Sequence, residues 1–72
     1  MNRSPVISSN VASVGYDSGT STLEIEFKKG GVYQYSNVPP AVHAGLVAAP
    51  SVGRYFDVNI KKAGYVVKKV SN

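Results

Sequence analysis

Few residues of this chain could do acid, base or nucleophilic chemistry. The sequence has no cysteine and one histidine, His43, so every scheme that pairs a nucleophile with a base depends on that residue. His43 follows Val42 and precedes Ala44 in the middle of a predicted helix. A histidine in such a place is typically a packing or solvated residue, and we expect no nucleophilic catalysis.

The acidic residues offer no better catalytic or metal site. Of the four carboxylates, Glu24 and Glu26 share one face of a predicted strand. Such a pair could do general acid–base work, but alternating acids are also what a solvated strand face contains. One histidine, no cysteine and no clustered Asp leave no ligand set for a metal. The sequence therefore predicts a protein that is not an enzyme and holds no metal or cofactor.

Aromatic residues are the stronger candidates for binding. Tyr33 and Tyr35 flank Gln34 in a predicted strand, so their rings lie on one side of it about 7 Å apart. Two rings at that spacing could stack successive nucleotide bases. Whether they are free to do so depends on the turn that precedes them.

Two registers of this hairpin are open. A two-residue loop, Gly30-Gly31, would place both tyrosines on the solvated face with Glu24 and Glu26. A three-residue loop, residues 28–30, with a left-handed Gly30 would shift the register by one residue and turn both tyrosines toward the core. We favour the second register, with the tyrosine hydroxyls at the rim, because strand three has little else apolar to bury.

Basic residues suggest an anionic partner. Eight Lys and Arg against four Asp and Glu give a formal net charge of +4 and a pI of about 9.6. If the last segment folds back beside the second predicted helix, five of them could form one positive face: Arg54, Lys61, Lys62, Lys68 and Lys69. The alternative is that Lys61 and Lys62 complement a helix C-terminus and the others keep a small protein soluble.

The strands and helices that position these residues are predicted from the two-residue period of strands and the 3.6-residue period of helices. Alternation predicts strands over residues 11–16, 22–28 and 32–36, a three-stranded antiparallel meander. Two short helices should follow over 40–49 and 51–62, separated by Pro50. The expected fold class is therefore α+β. Six apolar residues should be largely buried: Leu23, Ile25, Phe27, Leu46, Phe56 and Ile60.

The two ends of the chain are less defined. Residues 65–70 are rich in strand-forming types and make either a short C-terminal strand or a docked tail. Residues 1–8 make either a loose N-terminal arm or a short edge strand. A length of 72 residues fits a single domain, 1–72. Because the chain starts with Met, carries no tag and has no membrane span or signal segment, we expect a complete small cytoplasmic protein.

An ordered set of motifs runs along almost the whole chain. These are SSNVASVGYD at residues 8–17, LEIEF at 23–27, GVYQY at 31–35, VP at 38–39, GRYF at 53–56 and IK at 60–61. With its central Tyr-x-Tyr, the chain resembles the KTSC domain, named after the C-terminus of some lysyl-tRNA synthetases. Pro40, Pro50 and Ala63-Gly64 depart from the family pattern, and Pro50 alters the expected geometry between the helices.

The resemblance implies the stand-alone form of this domain, which occurs in bacteria and their phages. The fusion to the synthetase suggests RNA as the ligand. We therefore expect a non-catalytic module that binds nucleic acid, RNA in the first place, through the basic face and the rims of Tyr33 and Tyr35. The alternative is a protein-interaction module, a bacterial or phage accessory factor that docks through a strand edge or a helix face. The oligomeric state is open.

Overall fold

The computed structural model describes residues 2–71 and contains one antiparallel sheet whose five strands lie side by side in chain order. The strands are β1 (Arg3–Pro5), β2 (Val11–Asp17), β3 (Thr22–Phe27), β4 (Val32–Tyr35) and β5 (Val67–Ser71). Between β4 and β5 come α1 (Pro40–Ala48), α2 (Val52–Phe56) and a π-helical turn (Asp57–Lys61) that continues α2. The α+β class predicted from the sequence is confirmed.

The predicted strand count needs correction. The sequence predicts three strands and, at the C-terminus, either a fourth strand or a tail, whereas the sheet has five strands. β1 forms within the expected N-terminal arm, residues 1–8, of which Met1 lies outside the described residues, and β5 forms where a strand or a tail was expected. Both outer strands are exposed along their whole length, so neither shows the alternation that marks a half-buried strand.

The helical region also departs from expectation in one place. Ser51 is the N-cap of α2, and its side-chain oxygen accepts a hydrogen bond from the Arg54 N–H at 3.3 Å. The single helix predicted over 51–62 widens into the π-helical turn, where the Lys62 N–H donates to the Asp57 carbonyl at 3.2 Å. α1 ends at Ala48, before Pro50, as the sequence predicts.

The hydrophobic core lies between one face of the sheet, here called the helix face, and the two helices. Five of the six predicted core residues are buried: Leu23, Ile25, Leu46, Phe56 and Ile60. Phe27 is only half-buried, because it is the last residue of β3 and lies at the margin of the core. The opposite face, here called the open face, bears the polar side chains of Ser13, Glu24, Glu26 and Gln34.

The hairpin between β3 and β4 adopts the second of the two registers. Ile25 lies opposite Tyr33, and Leu23 lies opposite Tyr35, so both tyrosines belong to the helix face. The Phe27 N–H donates to the Gly31 carbonyl at 3.1 Å, which leaves residues 28–30 as the loop. Gly30 has a φ of 106°, a conformation that residues with a Cβ rarely adopt.

None of the helices within residues 2–71 is long and apolar enough to cross a membrane.

The packing of Phe56 gives a prediction about stability. Its side chain is 4% exposed and meets the rings of both Phe27 and Tyr35. Phe56→Ala should therefore lower the free energy of unfolding by about 3–5 kcal/mol, through lost transfer energy and the cavity that remains. Urea denaturation followed by circular dichroism measures this.

Val58→Ala is the matched control, because Val58 lies two residues further along and is 57% exposed. That variant should change the free energy of unfolding by no more than about 0.5 kcal/mol. Equal losses from the two substitutions would contradict the assignment of Phe56 to the core. If Phe56→Ala does not fold, Phe56→Leu measures the same packing with a smaller loss.

Candidate functional site: an aromatic groove bordered by lysines

Four aromatic rings form a continuous cluster on the helix face of the sheet. The Phe27 ring packs against the ring of Tyr33 at a centroid distance of 5.6 Å and against that of Phe56 at 5.4 Å. Phe56 in turn meets Tyr35 at 5.7 Å. All three pairs are close to perpendicular, the edge-to-face geometry that aromatic quadrupoles favour.

This cluster forms part of the wall of an open groove of about 560 Å³ between β4, β5 and the π-helical turn. Ile60, Tyr65 and Val67 complete its apolar lining, and Lys29 and Lys61 contribute positive charge. Asp57 is the one acid among the described residues that line it. The groove therefore combines aromatic surface with a positive border, and we call it the aromatic groove.

The two tyrosines predicted as a pair differ in their environments. Tyr35 is only 8% exposed, and this burial, with a smaller contribution from Tyr33, raises the pKa of its hydroxyl above the usual 10.0. Tyr33 is half-buried, and the Nζ of Lys69 lies 5.9 Å from its ring centroid, within the range of a cation–π contact. Tyr33 is thus the more accessible of the two for a ligand, and Tyr35 is mainly a core residue.

The structure does not bring the five predicted basic residues to one surface. Lys61 lines the aromatic groove, and Lys69 lies over the ring of Tyr33, which also lines it. Lys68 lies opposite Gln34, so its side chain belongs to the open face of the sheet. Arg54 and Lys62 line a second groove, of about 540 Å³, which shares Asn10 and Asp57 with the first.

Lys29 and Tyr65 are among the groove residues that were not predicted as site residues. Lys29 belongs to the hairpin loop 28–30, and the tight turn carries it to the groove beside Tyr33. Its position before two glycines was a sequence signal for a turn, but the direction of its side chain depends on the register. Tyr65 lies in the segment just before β5 and had no periodic pattern to place it.

His43 packs against an aromatic ring. Its imidazole stacks on Tyr16 with the centroids 4.8 Å apart and the planes 8° from parallel, and burial lowers its pKa below the usual 6.5. The Tyr16 hydroxyl donates to the Val38 carbonyl at 2.5 Å. These contacts fit the packing role expected from the sequence.

Glu24 and Glu26 are engaged in a polar network on the open face. Arg3 Nη1 and Gln34 Nε2 donate to the two carboxylate oxygens of Glu24 at 2.6 and 2.8 Å. The Ser13 hydroxyl donates to Glu26 at 2.8 Å. Each acid thus has partners of its own, and Glu24, expected to be solvated, is 7% exposed.

Gly15 allows this network to form. It lies opposite both Arg3 on β1 and Glu24 on β3. A Cβ at this position would lie 2.7 Å from the Asn2 carbonyl oxygen and 2.9 Å from Cγ of Arg3. The missing side chain therefore lets Arg3 cross β2 and reach Glu24.

Within residues 2–71 no three His, Asp or Glu side chains are grouped in a way that could hold a metal ion.

Comparison with known proteins gives consistent matches over most of the chain. The profile of the KTSC domain matches residues 7–65. An uncharacterized protein of Stutzerimonas stutzeri is 42% identical over 65 residues, which is 90% of this chain and 92% of that protein. A crystal structure of a KTSC domain protein from Yersinia pestis superposes with a TM-score of 0.91 at 42% identity and covers 96% of both chains.

A third relative is much longer than this chain. The lysine–tRNA ligase of Nostoc punctiforme is 50% identical over 46 residues, which is 64% of this chain and 8% of the ligase. The similarity thus concerns one short segment of that protein.

The Arg3–Glu24–Gln34 network predicts how stability depends on pH. The hydrogen bond from Gln34, and then the interactions with Arg3, hold the pKa of Glu24 below its usual 4.5 against the opposing effect of burial. A depressed pKa in the folded state stabilises the protein fully above pH 4.5, and this contribution is lost as the pH falls through the folded-state value. At pH 7, Glu24→Gln should cost roughly 1.5–3 kcal/mol, the strength of hydrogen bonds to a charged group.

Urea denaturation of the wild type and the variant across the acid range tests this. The difference between their free energies of unfolding should shrink as the pH falls. The lowered pKa of His43 also makes stability depend on pH, but both proteins contain His43, so its effect cancels in the difference. Glu26→Gln is the control, and it should show the smaller difference at neutral pH. A difference for Glu24→Gln that stays constant with pH would contradict the assigned role.

Proposed function

We propose that this chain, which belongs to the KTSC domain family, is a non-catalytic module that binds single-stranded RNA in the aromatic groove. The proposal rests on one observation: accessible aromatic surface and lysines lie together at the aromatic groove. Tyr33 is half-buried with Lys69 above its ring, and Lys29 and Lys61 line the same groove.

The chemistry of the groove suits an unpaired nucleotide chain. Bases have flat apolar faces that stack on aromatic side chains, while phosphates attract lysines and release counterions. Unpaired bases are the usual targets of RNA-binding proteins, because the deep major groove of an RNA duplex excludes side chains. A groove that is open along its length accepts such a chain from solvent.

The synthetase relative supports RNA over DNA. The lysine–tRNA ligase of Nostoc punctiforme, whose name describes action on a tRNA, contains a segment that is 50% identical to 46 residues of this chain. A module attached to such an enzyme has RNA as its most accessible ligand. The cytoplasm, where that ligand occurs, is the proposed location of this protein.

The salt dependence of RNA binding tests the groove. If Lys29, Lys61 and Lys69 contact phosphates of a single-stranded oligouridine, the slope of log K against log salt should be about −2. The double variant Lys61→Ala/Lys69→Ala should flatten the slope by about 1.4. Fluorescence anisotropy with a labelled oligouridine at several salt concentrations measures both.

The neighbouring lysines provide a control of identical charge change. Lys62→Ala/Lys68→Ala removes two lysines that lie at the second groove and on the open face. This control should leave the slope close to that of the wild type. Equal flattening by both double variants would mean that net charge, not the aromatic groove, attracts RNA. A wild-type protein with no salt-sensitive binding would contradict the RNA proposal altogether.

The two tyrosines should respond differently to truncation. Tyr33→Ala should weaken oligouridine binding by about 1–3 kcal/mol, the value of one stacked base, while the protein remains folded. Tyr35→Ala should lower the melting temperature first, because Tyr35 is 8% exposed and packs on Phe56. Thermal denaturation beside each binding titration separates the effects. Unchanged affinity in a folded Tyr33→Ala variant would remove Tyr33 from the site.

A further inference from the structure

β5 forms one outer edge of the sheet, and its register shows which main-chain groups are free. Val67 lies opposite Tyr35 and Lys68 opposite Gln34, while the Ser36 N–H donates to the Val66 carbonyl at 2.8 Å. In an antiparallel pair, successive residues direct their main-chain groups alternately toward and away from the neighbouring strand. Val66 and Lys68 therefore bond to β4, whereas Val67 and Lys69 direct their N–H and C=O groups outward.

These outward groups could extend the sheet by one strand. Within residues 2–71, no strand pairs with the outer side of β5. The other edge of the sheet is less suited to pairing, because β1 has three residues and Pro5 has no N–H to donate. β5 is thus a better edge than β1 for pairing with a partner peptide.

The side chains of β5 restrict what such a peptide can be. Lys68 lies on the open face and Lys69 on the helix face, so positive charge borders the edge on both sides. The one ion pair among the described residues joins Arg3 to Glu24, which leaves both lysines available to a carboxylate. Pairing of β5 with a second copy of itself would bring lysines together, and like charges across strands are destabilising.

Val67 favours an apolar residue at the opposite position of the partner peptide. It is 47% exposed and lines the aromatic groove, on the same face as Lys69. A residue opposite Val67 on an added strand would direct its side chain to the mouth of that groove. A large apolar side chain fits there, since Tyr65 and Phe56 line the same space.

We propose that the free edge of β5 binds an extended acidic segment of a protein partner as a sixth, antiparallel strand. The segment places one acid opposite Lys69, a second opposite Lys68 and a large apolar residue opposite Val67. RNA cannot pair with the edge of β5 as a strand, because a nucleotide chain has no alternating N–H and C=O groups to continue the hydrogen bonds of the sheet. The main-chain pairing does not depend on RNA binding, although Lys69 and Val67 belong to both surfaces.

A capped peptide with the sequence Ser-Thr-Glu-Glu-Leu-Thr-Ser tests the edge. In the proposed register its first Glu and its Leu direct their main-chain groups toward β5, and its second Glu directs them to solvent. Titration into isotope-labelled protein should shift the amide signals of Val67 and Lys69 and slow their exchange with solvent. The amides of Val66 and Lys68, already bonded within the sheet, should change less.

Methylation of the peptide nitrogens supplies a matched pair of controls. Methyl groups on the first Glu and the Leu should abolish the shifts, whereas a methyl group on the second Glu should largely preserve them. Equal binding of the two methylated peptides would overturn the proposal. Protection of the Val67 and Lys69 amides by oligouridine but not by the peptide would overturn it as well.

Exchange of charge tests the acidic preference. Lys68→Glu/Lys69→Glu should weaken binding of the acidic peptide by roughly tenfold or more, since two attractive cross-strand pairs become repulsive. The same protein should bind the peptide in which Lys-Lys replaces Glu-Glu. Unchanged affinity for the acidic peptide, or no rescue by the basic one in a folded variant, would contradict the pairing with Lys68 and Lys69.

Discussion

The arrangement of the helix side depends on the register of the β3–β4 hairpin. The three-residue loop with Gly30 at a φ of 106° places Ile25 opposite Tyr33 and Leu23 opposite Tyr35. A slip by one residue would move every side chain of β4 to the other face, because the side-chain period of a strand is two. Gln34 would then face the core, and the aromatic cluster would not exist.

The same cluster has two roles, and these divide between the two tyrosines. A chain of 72 residues without cysteine must stabilise its fold by packing, and Phe56 provides contacts that join α2 to both β3 and β4. Tyr35 lies deep in this packing, whereas Tyr33 lies at its margin beside Lys69. The part of the cluster that packing leaves accessible is the part that the proposed RNA site uses.

The two faces of the sheet differ in how charge is compensated. On the open face, Glu24 accepts hydrogen bonds from Arg3 on β1 and Gln34 on β4, and Glu26 accepts one from Ser13. On the helix face, Asp57 is the one described acid that lines the aromatic groove with Lys29 and Lys61. The groove and β5 carry lysines at which anionic partners of either proposed kind would bind, whereas Arg54 and Lys62 lie at the second groove.

The sequence by itself determined the class of the fold, the three inner strands, both helices and five of the six predicted core residues. These features have strong local causes: alternation in residues 22–27, prolines at helix boundaries and the Ser51 cap. It also identified Tyr33 and Lys61, which line one groove, and Lys69, whose Nζ lies over the Tyr33 ring. Only the tertiary structure decided the formation of β1 and β5, because strands whose residues are all exposed have no burial pattern and depend on a neighbour for pairing. Only the tertiary structure separated Lys68 from Lys69, since adjacent residues of a strand point to opposite faces once pairing defines those faces.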